Sequence, residues 1–209
     1  ADKLGGEVTE FFLPRDFGDF CIGCTQCFLK AETLCPHYER LKKITEAMDE
    51  ADVLIFTTPV YVYHCTGSMK AFLDHYGYRW MVHRPEQKMF TKQAVVISTA
   101  AGSGTKSANK DIADSMFFWG VPKTYRYGVN VRATNYSGVT DELKKEIDKK
   151  TTSIANKVKK NNGKVKAGLK TKGFFFIMRM IQKSGWNEAD KNYWAERGWN
   201  GKNRPWKNT

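Results

Sequence analysis

With 209 residues, the chain has room for one sizeable domain, or a domain plus an appendage, and for a core that needs no disulfide staples. Hydrophobic residues at 41% and aromatic residues at 13% exclude a disordered chain, and no apolar run approaches the ~20 residues of a membrane span, since Arg179 breaks the best candidate, Phe174 to Ile181. The net charge of +12 raises nucleic acid, anionic lipid or an acidic ligand as partners, but residues 1–140 hold 16 basic and 15 acidic side chains while residues 141–209 hold 18 and 7. The basicity belongs to the tail.

The opening Ala1-Asp2-Lys3-Leu4-Gly5-Gly6 reads as the last turn of a helix closed by glycine, which places the start of the chain inside a longer protein, after a strand and most of a helix. A short buried strand is expected at Val8 to Leu13, then a cysteine-rich window at 21–35. Tyr38 to Ala51 reads as a helix, with Leu41, Ile44, Ala47 and Met48 on one face. Val53 to Thr58 and Ala94 to Thr99 are continuous apolar runs rich in β-branched residues, the pattern of parallel strands covered on both faces. Helices are expected at Ser68 to Tyr76, Ser107 to Trp119 and Thr140 to Lys160, and a further strand at Tyr125 to Val131. Strands alternating with helices predict an α/β fold, a doubly wound parallel sheet with right-handed crossovers. The expected organisation is a sheet domain over 1–140 carrying the cysteine-rich insertion, its last helix over 141–163, and a basic, aromatic extension over 164–209 that packs on the domain or on a partner subunit.

Cys21-x2-Cys24-x2-Cys27-x7-Cys35-Pro36 holds four of the five cysteines. Thiolates three residues apart on a looping backbone can reach separate irons of one cubane, so the spacing points to a 4Fe-4S cluster held by Cys21, Cys24, Cys27 and Cys35. Zinc on four thiolates, or thiols without metal, are the alternatives; zinc ribbons bring two separate Cys-x-x-Cys pairs, which this window lacks. Disulfides fit poorly with the reducing cytoplasmic location expected of the chain. Cys65 reads as a small buried residue.

In an open α/β sheet the ligand sits beyond the carboxyl ends of the strands. Two loops leave such ends: Thr57-Thr58-Pro59-Val60-Tyr61-Val62-Tyr63, and Ser98-Thr99-Ala100-Ala101-Gly102-Ser103-Gly104-Thr105. The second is rich in Gly, Ser and Thr, which lets backbone N–H groups approach a flat ring or an anion. Pro59 and Tyr61 give the facing wall rigidity and an aromatic surface.

The ordered set of the triple cysteine motif, Ala51-Asp52-Val53-Leu54-Ile55-Phe56 leading into Thr58-Pro59-Val60-Tyr61, Ser68-Met69-Lys70-x-x-Leu73-Asp74, and Thr99-Ala100-Ala101-Gly102-Ser103-Gly104 resembles the flavodoxin-like NAD(P)H-dependent FMN reductase family. Within it, the chain is most similar to the iron-sulfur flavoprotein branch, over roughly residues 7–132; the tail motif Tyr193-Trp194-x3-Gly198-Trp199 is a softer match to flavodoxin-like oxidoreductases. The resemblance implies FMN lying between two loops, with Thr58, Pro59, Val60 and Tyr61 flanking the ribityl chain and ring, and Thr99, Ala100, Ala101, Gly102, Ser103 and Gly104 contacting the isoalloxazine. It implies an FMN-dependent oxidoreductase reduced by NAD(P)H or a protein donor, and a homo-oligomer, dimer or tetramer. The Ser/Thr-rich loop with which the family holds the FMN phosphate has no counterpart in these residues.

Such chemistry belongs to the flavin, so no acid-base side chain is expected to be indispensable. The histidines, His37, His64, His75 and His83, show no metal-ligand spacing and read as surface or packing residues, with His64 beside the expected flavin wall. Lys70 and Asp74 suit a helical ion pair. Two other function classes compete: a basic tail binding nucleic acid or a membrane surface, and a flavodoxin-like scaffold without catalysis. The lysines at 144–160 fall on the polar side of an amphipathic helix, which favours a solvated surface and a packing arm over binding to nucleic acid or a membrane surface.

Overall fold

In the computed structural model, which describes residues 1–207, the two continuous apolar runs and the segment after Val121 pair in parallel as β1 (Val53–Pro59), β2 (Gln93–Ala100) and β3 (Lys123–Asn130), in the order β1-β2-β3. The register sets Leu54 beside Ala94 and Thr124, and Phe56 beside Val96 and Arg126. Paired on both sides, β2 is the buried centre of the sheet. Side chains alternate along a strand, so Leu54, Phe56 and Thr58 share one buried face with Ala94, Val96 and Ser98.

That face is covered by α2 (Tyr38–Glu50), α3 (Gly67–Asp74) and α4 (Thr105–Trp119), whose Leu41, Ile44, Met48, Phe72, Ile112 and Trp119 join it in one apolar cluster. The other face receives α5 (Asp141–Asn161). There the Gln93 side chain donates to the Val158 carbonyl at 3.0 Å, and the Tyr125 hydroxyl reaches Gln93 Oε1 at 3.1 Å. Helices on both faces of a parallel sheet make this an α/β fold, as the alternation of strands and helices predicts. Thr140 caps α5, its hydroxyl accepting the Leu143 N–H, as its position in the sequence predicts. Lys70 and Asp74 form the expected ion pair along α3.

The short α1 (Gln26–Leu29) lies in the cysteine-rich loop, and the tail forms α6 (Leu169–Ser184) and α7 (Glu188–Glu196). Phe175, Trp194 and Trp199 are buried with Met81 and Phe90 in a second apolar cluster, so the extension packs on the segment between α3 and β2. Residues 208 and 209 of that extension lie outside the described residues.

One expectation needs correction. Val8 to Leu13 is irregular chain, not a strand. Only Phe11 and Leu13 of this run pack against the core, Val8 and Phe12 are exposed, and a turn closed by Phe12 and Asp16 follows. A strand exists by pairing, and this run pairs with no strand among the described residues. The first residues form a single 3-10 turn, Asp2–Leu4, ending at Gly5 with φ +74°, and Lys3 fastens it to Asp148 of α5 at 2.5 Å.

One buried ion pair ties α2 to the chain after α3. Arg79 holds both carboxylate oxygens of Asp49 at 2.6 and 2.7 Å, and the buried Lys92 donates to the carbonyls of Asp49 and Ala51 at the same helix end. Burial alone would lower the Arg79 pKa; the Asp49 carboxylate more than offsets it and raises the value. Asp49→Ala leaves a buried guanidinium unpaired and should cost about 3 kcal/mol, a Tm fall of roughly 6–12 °C in a calorimetric melt.

Candidate functional site

Two groups of residues singled out by sequence come together at separate places. At the carboxyl end of the sheet, β1 runs into a tight turn in which Tyr61 and His64 exchange two backbone hydrogen bonds of 3.0 Å. Val62 and Tyr63 sit at the tip with φ +48° and +66°, a conformation that strains a β-branched residue, and Val62 is 93% exposed. The imidazole of His64 donates to Asp111 of α4 at 3.0 Å, and the same carboxylate accepts the Cys65 N–H at 3.1 Å, so the turn is tethered to α4.

The Val60 N–H donates to the Thr99 carbonyl at 2.8 Å, which sets this turn against the end of β2. Gly104, at φ +94°, closes the contact: a Cβ there would stand 2.7 Å from Val60 Cγ1 and 3.0 Å from the Tyr63 Cα. The expected residues Thr58–Tyr61 and Thr99–Gly104 are thus neighbours. Their roles differ, however. Thr58 is buried, its hydroxyl donating to the Pro59 carbonyl at 2.9 Å and accepting the Thr66 N–H at 3.2 Å, which braces the loop from within. Ala101, Gly102 and Ser103 are exposed, Gly102 faces open space, and the N–H groups of Gly102 and Ser103 find no backbone carbonyl among the described residues. Tyr61 presents its ring to solvent. A flat, partly anionic molecule could lie here against an aromatic side chain and free N–H groups.

The second group surrounds a cavity of about 50 Å³. Cys21, Cys24, Cys27 and Cys35 line it together with Pro36, His37 and His75. Thr25 and Gly23, at φ +58° and +68°, turn the backbone sharply between the first three cysteines. Burial, and then the neighbouring thiols of Cys35, Cys21 and Cys24, push the Cys27 thiol up to about 11. Burial also raises Cys35, opposed by a hydrogen bond from the His37 N–H. A zinc ion with thiolates about 2.3 Å away needs its sulfurs ~3.8 Å apart. Among the described residues, the group whose ligand atoms all fall within 4.8 Å of one another is Cys35, His37 and His75, and no three of the cysteine sulfurs meet that limit. The donor set of four thiols spread around one cavity suits a multi-iron cluster better than a single ion.

His37 and His75 are the residues that sequence spacing missed. His75 Nδ1 lies 2.7 Å from the Ala71 carbonyl, which can only accept, so that nitrogen carries the hydrogen. Burial lowers the His75 pKa and keeps the ring neutral, so its Nε2 accepts from His37 Nδ1 at 2.8 Å. The signal was the Cys35-Pro36-His37 sequence, which places an imidazole two residues from a cysteine of the window; its partner, at the end of α3, is 38 residues away.

What fixes the cysteine loop comes from the tail. Arg84 donates to the carbonyls of Cys27 and Phe28, and is itself held by the fully buried Asp190 of α7 at 2.5 Å. His83 donates to the other Asp190 oxygen at 2.7 Å, and Asn187, the cap of α7, reaches the Phe28 carbonyl at 3.1 Å.

A sequence profile of NADPH-dependent FMN reductases matches residues 1–132, a span that contains both loops and all five cysteines. The chain belongs to the NADPH-dependent FMN reductase family. Among relatives of the chain, an iron-sulfur flavoprotein of Archaeoglobus fulgidus is 26% identical over 161 residues, 75% of this chain and 66% of its own length. An iron-sulfur flavoprotein of Methanocaldococcus jannaschii is 36% identical over 72 residues, covering 34% of this chain and 36% of that one. This chain therefore spans less than two thirds of the length of either relative. The apo crystal structure of an NADH:FMN oxidoreductase aligns with a TM-score of 0.43 at 21% identity, over 70% of this chain and 69% of that one.

Two outcomes check this geometry. Alkylation of the metal-free protein near pH 8 should modify the exposed Cys21 first and Cys27 and Cys65 slowest, since the latter two thiols, each pushed up to about 11, are almost wholly protonated there; peptide mass mapping reads the order. Asp190→Ala should cost about 3–5 kcal/mol and speed amide exchange across residues 24–30, because Arg84 loses its buried counter-ion.

Proposed function

We propose that this chain is the flavin-binding part of an FMN-dependent oxidoreductase that carries a 4Fe-4S cluster and takes electrons from NAD(P)H or a protein donor. The observation that carries this reading is the contact between the two loops: Gly104 lets the Val60 turn close against the 99–104 segment while Gly102 and Ser103 keep exposed N–H groups beside it. Thr58, Pro59, Val60 and Tyr61 would hold the ribityl chain and one edge of the ring, and Thr99, Ala100, Ala101, Gly102, Ser103 and Gly104 the isoalloxazine. Cys21, Cys24, Cys27 and Cys35 would ligate the cluster.

When bound, FMN supplies both two-electron and one-electron transfer, and the cluster supplies one-electron transfer. The work of the protein is placement. Thr58 stiffens the loop from inside, Asp111 holds the aromatic turn through His64, and the exposed Tyr61 ring offers an aromatic surface on one side. At the cysteines, loading must displace thiol protons, most of all at Cys27, so cluster assembly is favoured as pH rises. The neutral His75 orients the His37 ring, and the backbone N–H of His37 bears on the Cys35 sulfur. A cytoplasmic homo-oligomer, dimer or tetramer, completes the proposal.

An anaerobic absorbance spectrum of the full-length protein with iron and sulfide analysis tests it. The expected result is flavin bands together with about four iron and four sulfide per chain; Cys24→Ser with Cys27→Ser should remove the iron and leave the flavin. Zero iron after anaerobic reconstitution would exclude the cluster, and a chain that takes up no FMN would overturn the flavin assignment.

A further inference from the structure

α6 is apolar on two opposite sides. One side, with Phe175, Met178 and the fully buried Gln182, faces the second core cluster. The other presents Leu169, Phe176, Ile177 and Met180, which are 89%, 53%, 54% and 59% exposed. At 100° per residue these four fall within one narrow stripe, with Gly173 between them leaving open space. Trp186, also exposed, stands just beyond the helix end. A soluble helix that has already buried one apolar stripe gains nothing by showing water a second one.

The charges around the stripe are all of one sign. Lys170 borders one flank and Lys172 and Lys183 the other, each exposed. Between Asp148 and Glu188 the chain contains no acidic residue and 11 lysines or arginines. We propose that α6 docks the protein on the surface of an anionic lipid bilayer, lying in the plane with Leu169, Phe176, Ile177 and Met180 among the acyl chains and the flanking lysines at the phosphates.

The same observations disfavour other occupants. A second copy on this face would set lysine against lysine with no acidic partner. A nucleic acid would meet the charges but leave three aliphatic side chains at the centre without a base or groove to fill, Phe176 being the one ring in the stripe that could stack. The helix lies on the bilayer and does not cross it: no helix among the described residues is long and apolar enough to span one. An exposed tryptophan at the end of such a helix prefers the headgroup layer. This inference is independent of the flavin reading, since it uses neither loop nor cysteines.

Co-sedimentation of the full chain with phosphatidylcholine vesicles, with and without phosphatidylglycerol, provides the test. Binding to the anionic vesicles is expected, with little to pure phosphatidylcholine and a steep loss as salt is raised. Phe176→Ser combined with Ile177→Ser should lower the affinity by at least about tenfold, and Lys170→Gln, Lys172→Gln and Lys183→Gln by roughly fivefold each. Because these side chains are exposed, their thermal melts should match the parent; if the apolar variant melts early, the lysine variants alone decide. No binding to anionic vesicles at low salt would overturn the proposal. So would undiminished binding by the substituted chains, tighter binding to duplex DNA than to vesicles, or conversion of a dimer to a monomer by Phe176→Ser with Ile177→Ser in analytical ultracentrifugation.

Discussion

The carboxylate of Asp190 is the point on which the parts of this molecule converge. Fully buried, it carries a charge that water cannot solvate, and the chain answers with the Arg84 guanidinium and the His83 imidazole, while Asn187 caps the helix by accepting the Asp190 backbone N–H. A buried carboxylate tolerates no half-measures, since removing one partner leaves the other stranded. The remaining donors of Arg84 then go to Cys27 and Phe28. One electrostatic requirement therefore brings three distant stretches into register: the loop of cysteines, the segment before β2 and the tail helix. The aromatic cluster of Phe90, Phe175, Trp194 and Trp199 supplies the apolar burial that holds this polar knot dry.

The two candidate sites rest on different kinds of support. The loop site owes its place to topology, because parallel strands deliver their carboxyl-end loops to one edge of the sheet, and Gly104 lets those loops touch. The cysteine site owes its place to side-chain bonds reaching in from elsewhere. Membership of the FMN reductase family covers the sequence of both, through residue 132, but the anchor at residue 190 lies beyond the matched span.

Much of the sheet was legible in the sequence because its signals are local. Val53–Thr58 and Ala94–Thr99 are dense runs of β-branched and apolar residues, and the observed β1 and β2 extend them by one residue or two. Thr140 announced its helix by the side chain that caps it. Val8–Leu13 looked the same by composition and failed, since composition cannot say whether a run will find a neighbour to pair with. His37–His75 and Arg84–Asp190 were invisible for a related reason: their partners lie 38 and 106 residues apart, and a hydrogen bond across such a separation leaves no periodicity to read. The packing of the tail on the domain was expected from its tryptophans, whereas the face of α6 left to solvent depends on which side the core takes.

The anchor at Asp190 also orders events in time. A ribosome completes Cys35 about 155 residues before it reaches Asp190. At about 5–20 residues per second, that is an interval on the order of ten seconds or more. Through that interval all four thiols exist while the carboxylate that will pair with Arg84 does not. Only when residue 190 emerges does the carboxylate arrive that holds Arg84, and through it the loop. The tail acts as a latch that is made after the pocket it fastens.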